Sequence, residues 1–126
     1  MNPAGNPQDP DFTEREPRTH VAVPVLAGIE LLSLESIDWI EAANHHVYLH
    51  SGTRRYLVHG KISDAVDRFG SSEFFQVNRS AVVRINRIAA IVPCGRDDVE
   101  VRLTTGVSIR MGRGFRRDFR KRFGSV

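Results

Sequence analysis

Ile37-Asp-Trp-Ile-Glu-Ala-Ala-Asn-His-His-Val-Tyr-Leu-His50 is the stretch on which the fold turns. Trp39 to Ala43 and Val47 to His50 are short apolar or alternating runs, and the polar tip Asn44-His45-His46 separates them, so they read as two paired strands. The same grammar continues on both sides. Ser51-Gly52-Thr53 turns the chain into a strand from Arg55 to His59. Upstream, His20 to Leu26 and Gly28 to Leu32 pair across Ala27-Gly28, with Pro24 confining the first to an edge or a bulge. Downstream, Phe74 to Val77 meets the polar knot Asn78-Arg79-Ser80 and returns as Ala81-Val82-Val83. Ile88 to Pro93 and Asp98 to Leu103 flank Gly95-Arg96-Asp97, and Val107 to Met111 follows Thr105-Gly106. Val99, Val101 and Leu103 alternate with Asp98, Glu100 and Arg102, so one face of that strand meets a core and the other meets water.

Two segments carry the other period. In Lys61 to Phe69 the apolar residues Ile62, Ala65, Val66 and Phe69 fall at i, i+3, i+4 and i+7, and Gly70 stops the helix. After Gly112, Phe115, Phe119 and Phe123 recur every fourth residue and form a seam against the sheet, while Arg113, Arg116, Arg117 and Arg120 lie elsewhere on the turn and helix. The expected fold is mainly β, with one short central helix and a short C-terminal helix.

A chain of 126 residues suits one domain and a tail. Residues 1–19 hold four prolines (Pro3, Pro7, Pro10, Pro17), four acids and Phe12 as the only large apolar side chain, which reads as a disordered lead-in. Residues 20–126 then form the domain. The formal net charge is +3, but Arg110, Arg113, Arg116, Arg117, Arg120, Lys121 and Arg122 face the single acid Asp118, so seven minus one places +6 in the last stretch and leaves about −3 elsewhere. Such asymmetry points to an acidic polymer as partner, nucleic acid before membrane. Cys94 is the only cysteine, which excludes an internal disulfide and any multi-cysteine metal site. No apolar run approaches a membrane span, and the first residues have neither the charged start nor the apolar run of a signal peptide. A cytoplasmic location is the expectation.

Catalysis finds little support. His46 and His50 share a strand face, but no Cys, Asp or Glu in the histidine-bearing strands completes a ligand set, so no metal is expected. Ser80 has no base near it in sequence, and no glycine-rich phosphate loop is present. The expectation is a protein with no enzyme activity and no cofactor. The polar interruptions are more informative. Asn44-His45-His46, Asn78-Arg79-Ser80 and Gly112-Arg113 carry side chains suited to DNA, since Arg pairs bidentately with guanine, Asn with adenine, and Ser with phosphate. Loops at one end of a stack of short strands can converge.

These residues resemble a known family. Ile37 to His50 resembles the "D-I-x-Y-I-E-A" strand and following hairpin of the LytTR DNA-binding domain. Lys61 to Phe69 sits where that family has its short helix, and Phe75-Gln-Val-Asn-Arg-Ser80 resembles its "F-x-R-x-H-R-S" signature. Val83-Arg-Ile-Asn-Arg-Ile88 is similar to its "V-N-x-x-x-I" continuation, and Met111-Gly-Arg113 to its terminal "S-R" pair. The resemblance runs from about His20 to Phe123.

It implies an elongated stack of small antiparallel sheets that drives loops into successive major grooves of double-stranded DNA. Carried across, His46 or its neighbour His45 occupies the first base-reading loop, Asn78 and Arg79 the second, and Arg113 the third, while Ser80, Arg116 and Arg117 contact phosphates. Three positions depart from the pattern: Asn78 stands for His, Gly112 for Ser, and Arg84 where Asn is usual. The implied protein is a transcriptional regulator binding as two copies on direct repeats. It is either a stand-alone regulator controlled by abundance or by a partner protein, or a fragment of a larger one. The competing expectation is a protein-interaction module whose basic face docks an acidic partner.

Overall fold

The computed structural model describes residues 19–70 and 72–124, and strand pairing dominates them. In chain order come β1 (His20–Val25), β2 (Gly28–Ser33), a 3-10 turn (Leu34–Ser36), β3 (Trp39–Ala43), β4 (His46–Ser51), β5 (Arg54–His59), and α1 (Ile62–Phe69). Then follow β6 (Phe74–Asn78), β7 (Ala81–Arg84), a second 3-10 turn (Ile85–Arg87), β8 (Ile88–Cys94), β9 (Asp98–Leu103), β10 (Ser108–Met111) and α2 (Arg113–Phe123). Every strand pair is antiparallel. They form three sheets: β1-β2, then β5-β4-β3-β7-β6, then β10-β9-β8. The mainly β fold with two short helices is as the sequence implies.

The stack arises because β6 and β7 are buried on both faces. Side chains alternate along a strand, so Phe74 and Val82 join one core while Phe75, Val77, Ala81 and Val83 join another. The first core lies between the β1-β2 hairpin, one face of the central sheet and α1, with Val23, Ile37, Ile40 and Leu49 fully enclosed. The second lies between β6-β7, the three-stranded sheet and α2, around Val77, Val83 and Val101. Phe119 and Phe123 pack against Phe75 at ring-centroid distances of 5.4 and 5.8 Å, so the phenylalanine seam holds α2 on the sheet as its spacing requires.

Polar side chains tie the first 3-10 turn into this frame. Arg84 is buried on β7, donating from Nε to Ile37 O at 2.7 Å, from Nη2 to Leu34 O, and from Nη1 to Glu73 at 3.1 Å. Arg87 donates to Asp38 Oδ1 at 2.7 Å and to Glu35 O at 2.6 Å, and Asp38 Oδ2 accepts from Gly52 N at 2.8 Å. The Arg84 departure from the family pattern therefore has a structural meaning: it adds a donor to Leu34 O and supplies one to Ile37 O, at the two ends of the first 3-10 turn.

Element boundaries differ from the sequence expectation in small ways. The first hairpin turns at Leu26-Ala27, because Gly28, at φ 138°, already pairs with Val25. Gly70 ends α1 in a conformation with φ 107°, which glycine alone adopts readily. The expected lead-in lies outside the described residues except for Thr19, whose carbonyl accepts a hydrogen bond from Leu34 N at 2.9 Å. Among the described residues no helix is long and apolar enough to cross a membrane.

Candidate nucleic-acid interface

Strand direction brings the three polar interruptions to one end of the central sheet. β3 runs toward the Asn44-His45 turn, β6 runs toward Asn78-Arg79-Ser80, and the antiparallel pairing of Glu41 with Ala81 sets the two turns side by side. Ala42 N donates to Ser80 O at 2.8 Å, which closes the gap between them. Gly60, at the end of β5, reaches the same edge through a 2.9 Å hydrogen bond from its N to His45 O. On the other side, Gly112 N donates to Val77 O at 2.8 Å, placing the entrance to α2 against β6.

The first turn is tighter than its polar tip suggests. Ala43 pairs with His46, so the turn proper is Asn44-His45, and Asn44 takes φ 61°, a left-handed value that asparagine tolerates. His45 is exposed at the tip. His46 is instead the first residue of β4, half-buried, with its ring edge-on to His59 at 5.1 Å. The expected three-residue tip is thus corrected to two residues, and the two histidines occupy different settings.

In the second turn Arg79 and Ser80 are exposed. Asn78 is engaged at both ends of its amide: Oδ1 accepts from Ser80 N at 2.7 Å, and Nδ2 donates to Arg110 O at 2.7 Å. The pairing of β6 with β7 is irregular between Gln76 and Asn78, a bulge that re-aims the turn. In the third segment Gly112 caps α2 without any side-chain hydrogen bond, and Arg113 and Arg117 project from the helix exposed. Arg116 is half-buried and borders a groove with Ile91, Val99, Met111 and Phe119. A side chain at 112 would bring its Cβ to 3.0 Å from the Phe115 ring and 3.7 Å from Asn78 Cβ, so glycine lets the helix close onto the turn.

The arginines divide by partner. Arg84, Arg87, Arg54 and Arg110 are ion-paired, with Glu73, Asp38, Glu30 and Asp98 respectively. Arg122 belongs with the structural set, since it donates to Phe74 O at 3.0 Å and Ser72 O at 2.9 Å. The +6 C-terminal stretch is therefore not one basic surface. Arg79, Arg113, Arg116 and Arg117 have no carboxylate partner among the described residues, and neither do Arg55, Arg68, Arg96, Arg102 and Arg120; what sets the first four apart is their place beside the converging turns. Arg113 and Arg116 also stand in the first turn of α2, where the helix dipole disfavours cations by about 0.3–1 kcal/mol each. Arranged this way, guanidiniums and free helix N–H groups suit an anion rather than the free protein's own stability.

Sequence reasoning assigned no role to Glu41, which reaches across from β3 to His50 Nε2 at 2.9 Å while Trp39 stacks on the same ring at 4.0 Å. The contact is cross-strand, so no local spacing announces it. Among the described residues no cluster of His, Cys, Asp and Glu could hold a metal ion. Gly60, likewise, joins the site edge only through strand pairing.

Comparisons with known proteins agree on what this arrangement is. A family model described as the LytTr DNA-binding domain matches residues 27–124. Among solved structures, a LytTr DNA-binding domain from Bacillus cereus superposes with a TM-score of 0.73 at 18% sequence identity, covering 86% of this chain and 99% of that one. At that identity the likeness shows a shared fold. No curated protein matches the chain at significance. The family match spans most of the chain, from the β1-β2 turn to the end of α2, and the chain belongs to the LytTR family of DNA-binding domains.

Proposed function

We propose that the chain is a cytoplasmic, sequence-specific transcriptional regulator that reads double-stranded DNA with the loops gathered at one end of its central sheet. The observation that carries this reading is the convergence of the polar turns: Asn44-His45, Arg79-Ser80 and Gly112-Arg113 meet at one end of the central sheet, where Arg79, Arg113, Arg116 and Arg117 have no carboxylate partner among the described residues. Arg79 is exposed at a turn tip and Arg113 at the first residue of α2, and each presents the planar fork that matches guanine O6 and N7 in the major groove. His45, with His46 beside it, forms the third base-reading element. Ser80, Arg116 and Arg117 flank these tips and hold phosphates, which fixes register and orientation without reading sequence. One domain offers few base contacts, so two copies on tandem direct repeats supply the discrimination a promoter requires.

Selection of bound duplexes from a random pool tests this directly. The expected result is one enriched motif occurring as a tandem repeat. Failure to enrich any motif, with tight binding retained to an acidic protein surface, would overturn the reading in favour of a protein-docking module.

A further inference from the structure

We infer that Asn78 is a positioning residue: it clamps the second DNA-facing turn to the third and thereby sets the aim of both Arg79 and Arg113. The inference rests on the reading of these arginines as base contacts and assigns Asn78 a role distinct from theirs. Its amide joins two separate parts of the chain. Oδ1 accepts from Ser80 N within its own turn, and Nδ2 donates to Arg110 O on β10, thirty-two residues away. Ser80 N can only donate and Arg110 O can only accept, so the amide has one consistent orientation.

Reading adenine requires the oxygen and nitrogen of the same amide together, as a bidentate edge. Here both atoms are already engaged by backbone. The two contacts also differ in kind. The bond to Ser80 is an Asx turn that shapes the loop carrying Arg79. The bond to Arg110 fixes the strand that ends in Met111, one residue before the glycine that caps α2 and two before Arg113.

Gly112 completes the clamp. Its backbone N–H holds Val77 O at 2.8 Å, and a Cβ there would lie 3.7 Å from Asn78 Cβ and 3.0 Å from the Phe115 ring. The two departures from the family signature, Asn78 for His and Gly112 for Ser, thus face each other across one contact. A short amide on β6 and a missing side chain on the helix cap act together to bring the turns close.

The test uses the full chain with N78A and N78D, and has a readout that needs no DNA. In the free protein, the Ser80 amide should exchange with solvent roughly tenfold faster in N78A, the weight of one lost hydrogen bond. N78D keeps the acceptor for Ser80 and cannot donate to Arg110 O, so Ser80 should remain protected. On a selected duplex, N78A should lose roughly three- to tenfold in affinity, spread over the base pairs read by Arg79 and by Arg113. Combined with R79A or R113A, its loss should be smaller than in the wild-type background. N78D also sets a carboxylate among the DNA-facing arginines and should weaken every duplex alike, so its informative readout is the Ser80 exchange rate. A loss confined to a single further base pair, additive with both arginine variants and with Ser80 exchange unchanged, would overturn the inference and make Asn78 a base reader. If no duplex is enriched at all, the base-reading assignment fails, and the Ser80 exchange rates still decide whether the clamp exists.

Discussion

Removing Arg84 tests the polar tie between the first 3-10 turn and the central sheet. The residue is 4% exposed, and its guanidinium lies 4.6 Å from the centre of the Phe74 ring. Burial holds its pKa below the ordinary arginine value, with the neighbouring Arg87 charge acting in the same direction and Glu73, Glu35 and Asp38 opposing. R84A leaves Ile37 O without its donor, at about 1–3 kcal/mol for a buried group left unpaired, and takes one of two donors from Leu34 O, which keeps Ile37 N at 3.2 Å. It also empties the space over Phe74. Relief of the buried charge offsets part of this, so the net loss should be about 2–4 kcal/mol. R84M keeps the stem's bulk and removes the charge, and should lose only about 1–3 kcal/mol. Urea denaturation followed by circular dichroism reads both. With a slope of about 2 kcal/mol per molar, R84A should lower the midpoint by about 1–2 M. An R84A protein within about 1 kcal/mol of wild type, at an unchanged slope, would refute the claim that this side chain pins the first 3-10 turn.

Three further outcomes follow from the same geometry. R79A and R113A should each cost about 1–3 kcal/mol on a selected duplex and relax choice at one base pair, whereas R116A should weaken every sequence alike and lower the salt slope by about 1; equal losses on selected and random duplexes for all three would contradict this division. R113E should abolish specific binding yet stabilise the free protein by about 0.3–1 kcal/mol, because it replaces a cation with an anion at the N-terminus of α2, and a lower thermal midpoint would count against that account. Burial, with help from Glu100, pushes the Cys94 thiol pKa up. Its thiolate should then be scarcer at neutral pH than that of free cysteine, and alkylation slower; a faster rate would show the opposite environment.

Much of the fold was legible because its signals are local. The alternation of Val99, Val101 and Leu103 marks β9, and the spacing of Phe115, Phe119 and Phe123 marks the seam of α2. His46 was harder to place, since a polar residue beside a turn looks like part of it; only the left-handed Asn44 and the pairing of Ala43 with His46 move it into the strand. The residues of the site were visible as polar breaks, but their convergence depends on Glu41 pairing with Ala81 and on Gly112 meeting Val77, contacts between distant segments. Arginine is the sharpest case. Arg84 and Arg122 serve carbonyls at Leu34, Ile37, Ser72 and Phe74, while Arg79 and Arg113 are left free of carboxylates, and nothing in the local sequence distinguishes the two uses.

Methylation interference with dimethyl sulfate tests the central claim most directly, because one reagent marks guanine N7 in the major groove and adenine N3 in the minor groove. On a selected duplex, methylation of guanine N7 should block binding at discrete positions in successive major-groove segments, and R113A should erase the interference at one of them. Interference limited to adenine N3, or a pattern of guanine interference that R79A and R113A both leave intact, would contradict the account of loop-borne arginines reading the major groove.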